Sequence, residues 1–273
     1  MRKPLAIIKE DLLDKKWSLV GLGVLIGLLG YYVINMLSTM DFSELQAYTD
    51  SLPDAAKALL GDLDITNPYS LVNAYFISFL WLYVGIYLVY MASSVVPQEV
   101  ENHTIDLVLS KPVSREKYLT GKIIFLYVFI ASLMALIMLF IAGGMGSSTV
   151  FIEEGLYWER VLATFLIATL HLGTLATTAV FFSTIFLSTK KTMAAAVITM
   201  FLMFFIGGSY SFMGPAVGDP VQYVSTWFYY NPAQFFGAGN FDNFLRDVLV
   251  LGWVNLGLVA ASLVVFRKRD VPI

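Results

Sequence analysis

Six stretches of this chain, residues 17–37, 71–96, 123–143, 161–187, 193–213 and 248–266, contain no Asp, Glu, Lys or Arg. A helix needs roughly 20 predominantly apolar residues to cross about 30 Å of hydrocarbon, and each stretch is about that long. Backbone inside lipid must satisfy its own hydrogen bonds, which leaves helices or a closed barrel. None of the six runs alternates apolar with polar residues as barrel strands do. The chain is therefore expected to be an all-α integral membrane protein with six transmembrane helices. Composition agrees: 58% of the 273 residues are hydrophobic and 14% charged, against about 45–50% apolar and 25% charged in soluble domains.

The Lys and Arg residues orient these spans, because basic residues accumulate on the cytoplasmic side. Arg2, Lys3, Lys9, Lys15, Lys16, Lys111, Arg115, Lys117, Lys122, Lys190, Lys191, Arg267, Lys268 and Arg269 fall on one side, and only Lys57, Arg160 and Arg246 on the other. Both termini are expected inside the cell, together with the polar segment 97–122. The basic start of the first span is followed by no small-x-small cleavage site, so that span is expected to remain as a helix.

Between the spans, residues 1–16 read as a short interfacial helix. Leu5, Ile8 and Leu12 share one face, and Lys9 and Lys16 are placed to reach headgroups. The outer loop, residues 38–70, carries Asp41, Glu44, Asp50, Asp54, Asp62 and Asp64 without the spacing of a calcium loop. Its stretch SLPDAAKALLG predicts a helix capped by Ser51 and ended by Gly61. Tyr157, Trp158, Trp227, Tyr229 and Tyr230 are expected at the outer headgroup level. The oily segment 221–241 is expected to dip into the membrane or cover a neighbouring helix.

Several chemistries are excluded. The net charge of -3 gives no basic face for nucleic acid. The absence of Cys removes disulfides, thiolate metal sites and cysteine nucleophiles. Thr120-Gly121-Lys122 runs into Ile123 and no Gly stands five residues before Gly121, so there is no phosphate-binding loop. With only His103 and His171 and no HExxH, there is no zinc-protease ligand set. Glu153, Glu154 and Arg160 lie outside the spans, and His171 with Ser209 forms a Ser–His pair that no motif supports. A membrane-embedded hydrolase and an ATP-independent carrier are the alternatives to transport driven by a separate ATPase. A carrier coupled to ions often keeps carboxylates within its spans, and these spans have none.

His171 is the one residue of its kind inside a span, and such groups are functional candidates. With Thr164, Thr174 and Thr178 it forms a stripe on one helical face. The stripe either packs helices together through hydrogen bonds or lines a translocation path. Gly23 and Gly27 in the first span permit close approach of a neighbouring helix.

The segment 97–122 is too long and too structured for a linker, since spans can be joined by about two to eight residues, as 188–192 does between spans four and five. Lys111-Pro112 breaks the chain. Ser114 caps a new helix, with Glu116 in its first turn, that runs through Tyr118 into the third span. Its sequence, PQEVENHTIDLVLSKPVSREKYLTGK, resembles the cytoplasmic segment of ABC type-2 permeases, the membrane subunits of ATP-binding cassette exporters. The matching positions are Glu99, Glu101, Asn102, Thr104, Ile105, Leu107, Leu109, Ser110, Pro112, Val113, Ser114, Arg115, Gly121 and Lys122; His103 stands where the family commonly has Gly. The outer loop entering the second span is also similar, as is the ending FRKRDVPI with Phe266, Arg269 and Asp270.

The resemblance implies that Glu99, Glu101, Thr104, Leu107, Ser110, Pro112 and Arg115 form a coupling surface for a separate nucleotide-binding ATPase subunit, with the interfacial helix as a second contact. It implies a working unit of two permease chains and two ATPase chains among membrane lipids, in the cell membrane of a prokaryote. This chain itself would carry no cofactor; ATP and magnesium would sit on the ATPase. The residues leave the cargo open, although uncharged spans suit lipids, amphiphiles or apolar drugs.

Overall fold

The computed structural model describes residues 4–51, 64–102, 114–209 and 215–269. Six helices are long and apolar enough to cross a membrane: α1 (Pro4–Leu37), α2 (Pro68–Ser93), α3 (Arg115–Ser147), α4 (Trp158–Ile185), α5 (Thr189–Gly207) and α6 (Phe244–Lys268). No strand occurs among the described residues. The expected all-α, six-helix architecture is present.

The ends of the helices differ from the apolar runs, for local reasons. The helix expected over residues 1–16 and the first span form one unbroken helix, because neither Gly nor Pro interrupts the chain between Leu5 and Gly21. α3 starts well before its apolar run, at the Ser114 cap, where the Ser114 hydroxyl accepts the Lys117 N–H at 3.4 Å and Glu116 occupies the first turn. α5 stops at Gly207, short of the expected 213. In the outer loop a helix spans Phe42–Ser51. Its first amides, Ser43 and Glu44, donate to the Asp41 carboxylate at 2.9 and 3.3 Å. Ser51, where the sequence suggested the cap of a further helix, is the last described residue of this one, and its hydroxyl donates to the Tyr48 carbonyl at 2.7 Å. The rest of that expected helix lies outside the described residues.

α4 is the hub of the bundle, touching α2, α3, α5 and α6, while α1 lies along α3. Buried positions surround α4, as expected of a helix without a polar face. Its small residues Ala163, Ala168, Gly173, Ala176 and Ala179 let neighbours come close. Gly23 and Gly27 serve α1 in the same way: a Cβ at either would lie 2.5 Å from a side-chain atom of Leu136 or Phe140 on α3. α5 and α6 bury little of themselves, leaving Ile198, Leu202 and Phe205 on one and Leu249, Trp253 and Leu256 on the other exposed to their surroundings.

α2 is not a regular rod. Its outer half, Pro68–Tyr75, is capped by Asn67, whose side chain accepts from the Tyr69 and Ser70 amides. At Phe76 the backbone leaves helical angles (φ -132°, ψ -60°). A 3-10 turn (Ile77–Phe79) and a π turn (Trp81–Gly85) follow before α-helix resumes over Ile86–Ser93. The segment between α5 and α6 folds back as a cover: Tyr230, Phe235 and Phe236 are buried against α2 and α4. This meets the expectation that it covers a neighbour. Of the aromatics expected at the headgroups, Tyr230 is instead buried, its ring stacked on His171, while Trp227 is half-buried beside it.

Candidate functional site

Both termini of the described chain and the segment leading into α3 gather at one end of the bundle, the end rich in Lys and Arg. There the Lys122 ammonium of α3 donates to Asp11 of α1 at 2.9 Å. These two residues, with Asp14, Lys15, Gln98 and Glu99, border a polar cavity of about 300 Å3. A short helix, Pro97–Glu101, continues from α2. On it, half-buried Glu99 accepts a hydrogen bond from the Tyr118 hydroxyl of α3 at 3.4 Å, and the same hydroxyl reaches the Val95 carbonyl at 3.3 Å.

Glu101 reaches across to the start of α5. Its carboxylate accepts the Thr189 amide at 2.9 Å and the Thr189 hydroxyl at 2.8 Å. A helix start exposes unpaired N–H groups and a partial positive charge, so a carboxylate is a fitting partner. The Thr189 amide, and after it the Thr189 hydroxyl, hold the Glu101 carboxyl below its ordinary pKa.

Arg115, at the start of α3, donates to the Arg269 carbonyl at 2.7 Å. The Arg269 side chain in turn donates to the last carbonyls of α4, Thr184 at 3.0 Å and also Ile185. Helix ends carry unpaired carbonyls and partial negative charge, which a guanidinium satisfies. Glu116 and Arg267 add an exposed pair at 3.4 Å. The two ends of the polar segment are thus tied to three other helices: Glu101 to α5, Arg115 to the end of α6, and through Arg269 to α4.

Of the seven residues assigned to a coupling surface, Glu99, Glu101 and Arg115 are described; Glu101 and Arg115 make two of these ties, and Glu99 bonds Tyr118 of α3. Thr104, Leu107, Ser110 and Pro112 lie outside the described residues.

The stripe on α4 divides. Thr164 is enclosed and its hydroxyl donates to the Arg160 carbonyl at 2.7 Å. His171 is 1% exposed, stacked on Tyr230 (centroids 4.5 Å apart, planes at 8°) and edge-on to Trp227 at 4.8 Å. Neither of its ring nitrogens has a hydrogen-bond partner among the described residues. Thr174 and Thr178 border a mainly apolar groove of about 340 Å3 between α4, α5 and α6.

Behind Thr174 stands a polar knot that sequence reasoning missed. Asn255 of α6 donates to the Thr174 hydroxyl at 2.8 Å and to the Leu170 carbonyl at 3.1 Å. Its side-chain oxygen accepts from Thr177 at 2.9 Å and from the Tyr127 hydroxyl of α3. Three helices meet at this one amide. Asn255 is the sole Asn in the run 248–266, and a lone amide in an otherwise apolar span is the signal that could have found it. No group of three or more metal-binding side chains occurs among the described residues.

A sequence model of the family described as ABC-2 family transporter protein matches residues 32–267. No curated protein matches the chain.

Proposed function

Because the chain belongs to the ABC-2 transporter family, we propose that it is the membrane-spanning permease subunit of an ATP-driven exporter, moved by a separate ATPase that grips segment 97–122. The observation that carries this reading is the set of ties at the ends of that segment. Glu101 caps α5, and Arg115 holds the end of α6, whose Arg269 caps α4. A push on the segment therefore reaches α3, α4, α5 and α6 through hydrogen bonds to backbone, which cannot slide as side-chain contacts can. A loop that only joined α2 to α3 would need none of them.

In this reading the basic end faces the cytoplasm of a prokaryotic cell. Two copies of the chain meet two ATPase subunits, and ATP with magnesium binds on those subunits. Nucleotide binding draws the ATPases together and shifts the permease pair between two packings. Thr174 and Thr178 are the two of the four striped residues placed beside open space, so the groove they border is the stretch of path available to cargo at membrane depth. Its apolar lining suits lipids and other amphiphiles that move among membrane lipids.

The test is the double variant Glu101→Ala, Arg115→Ala in the complex with its ATPase. Copurification should persist, because the segment still offers its other residues, while stimulation of ATP hydrolysis by the permease and efflux should fall together. Unchanged stimulation and efflux would refute the coupling role.

A further inference from the structure

The break in α2 contains no Pro; Ser78 lies within it, donating to the Asn73 side chain at 3.2 Å, and Gly85 ends its π turn. Such kinks arise at Pro, at Gly or Ser, at π turns, or where another group enters the hydrogen-bond ladder. Here the entering group is the Tyr230 hydroxyl, which donates to the Ile77 carbonyl at 2.8 Å inside the protein. In a membrane a carbonyl freed from its helix must find a partner, and Tyr230 supplies it. Below that point Trp81 is clamped by rings from two other elements, stacked on Phe204 at 5.1 Å and edge-on to Trp227 at 4.5 Å. Trp227 and Tyr230 are also the two rings that enclose His171 of α4.

The halves of α2 are anchored to different bodies. The outer half belongs to the cap at the far end of the bundle. Tyr69 donates to the Gly155 carbonyl at 2.6 Å and lies under the Arg160 guanidinium at 4.6 Å, and Gly237 sits against Ser70. The inner half leads into Pro97–Glu101 and the ties described above. A rod fastened to two bodies, with 3-10 and π turns between its fastenings, can bend by exchanging hydrogen-bond partners without losing them. The buried imidazole fits a pivot of this kind. His171 touches Trp227 and Tyr230, the same two residues that hold Trp81 and the Ile77 carbonyl, so a change of packing at the break is felt at this imidazole.

We propose that α2 bends at Phe76–Gly85 during the transport cycle and that His171, held between Trp227 and Tyr230, is a positioning residue that sets the balance between the bent and straightened packings. This rests on the coupling reading above and goes beyond it, since an ATPase could equally drive α2 as a rigid rod.

The chain has no cysteine, so a Tyr75→Cys, Tyr90→Cys pair places spin labels at two exposed sites on either side of the break. Distances would be measured by pulsed electron paramagnetic resonance in the complex with the ATPase, without nucleotide and with ATP trapped by vanadate. The inference expects two label distances whose populations change with nucleotide. His171→Phe, which keeps a ring in the stack and removes the polar nitrogens, should change the ratio of the two populations about tenfold, the scale of one buried polar group. A single unchanging distance, with ATP hydrolysis still stimulated, would overturn the hinge and leave the coupling reading standing. Equal populations in His171→Phe and the parent would overturn the role of His171. An ATPase that does not bind at all would overturn the coupling reading and this inference with it.

Discussion

Replacing Asn255 by Leu tests how the bundle is held at membrane depth. The substitution keeps the volume and removes an amide that joins α6 to Thr174, Thr177 and the Leu170 carbonyl on α4 and to Tyr127 on α3. Hydrogen bonds between helices in membranes average about 0.6 kcal/mol and reach about 1.7. Four such bonds at the average give about 2.4 kcal/mol. Thr174 and Thr177 keep bonds to their own backbone at Leu170 and Gly173, which lowers the expected loss to about 2 kcal/mol. Tyr127→Phe alone removes the hydroxyl's bonds to Asn255 and to Thr177 and should cost about 1 kcal/mol, two bonds at the average. The two groups bond each other, so the double variant should cost less than the sum by about 1 kcal/mol. Equilibrium unfolding in bicelles measures all three. Asn255→Leu within about 0.5 kcal/mol of the parent, or strict additivity, would show that the knot is not a shared network.

Glu101→Ala should speed amide hydrogen exchange at Thr189 and the following residues of α5 severalfold in detergent or nanodiscs, without changing exchange in the middle of α4. Because the Glu101 carboxyl is held below its ordinary pKa, its tie is fully present above the usual Glu value of about 4.3 and is lost as the pH falls through the lowered value. Protection at Thr189 should therefore be flat from neutral pH to mildly acid pH and fall only below that range. Gly27→Val puts a side chain where a Cβ already lies 2.5 Å from Phe140 Cδ2 and 3.0 Å from its Cβ; thermal unfolding should show a loss of about 1–3 kcal/mol from overpacking of α1 on α3. Arg269→Ala should loosen the last turn of α4 in hydrogen exchange and reduce ATPase stimulation, whereas Lys268→Ala, at an exposed position beside it, should do neither.

The sequence shows the six spans because lipid requires apolar length, and length can be read directly. It shows the start of α3 because Ser114 and Glu116 meet a local rule of helix capping. It does not show the long-range ties. Nothing local connects Glu101 to Thr189 or Arg115 to Arg269, residues brought together only when the helices pack. The same is true at the break in α2, where the Ile77 carbonyl accepts from a Tyr230 hydroxyl far along the chain. The joining of the N-terminal helix to the first span was readable in principle, since no breaker separates them; the change from amphipathic to apolar patterning hid it. Tyr230 misled because aromatic residues near span ends usually mark the lipid interface, and here its ring is buried against His171.

The most direct check is the accessibility of Lys117, an exposed residue on the first turn of α3, replaced by Cys in the cysteine-free chain. A membrane-impermeant maleimide should leave this position unlabelled in intact cells, label it in inverted vesicles, and lose that labelling when the ATP-binding subunit is bound. Labelling from outside intact cells, or labelling in inverted vesicles indifferent to the bound subunit, would contradict the account.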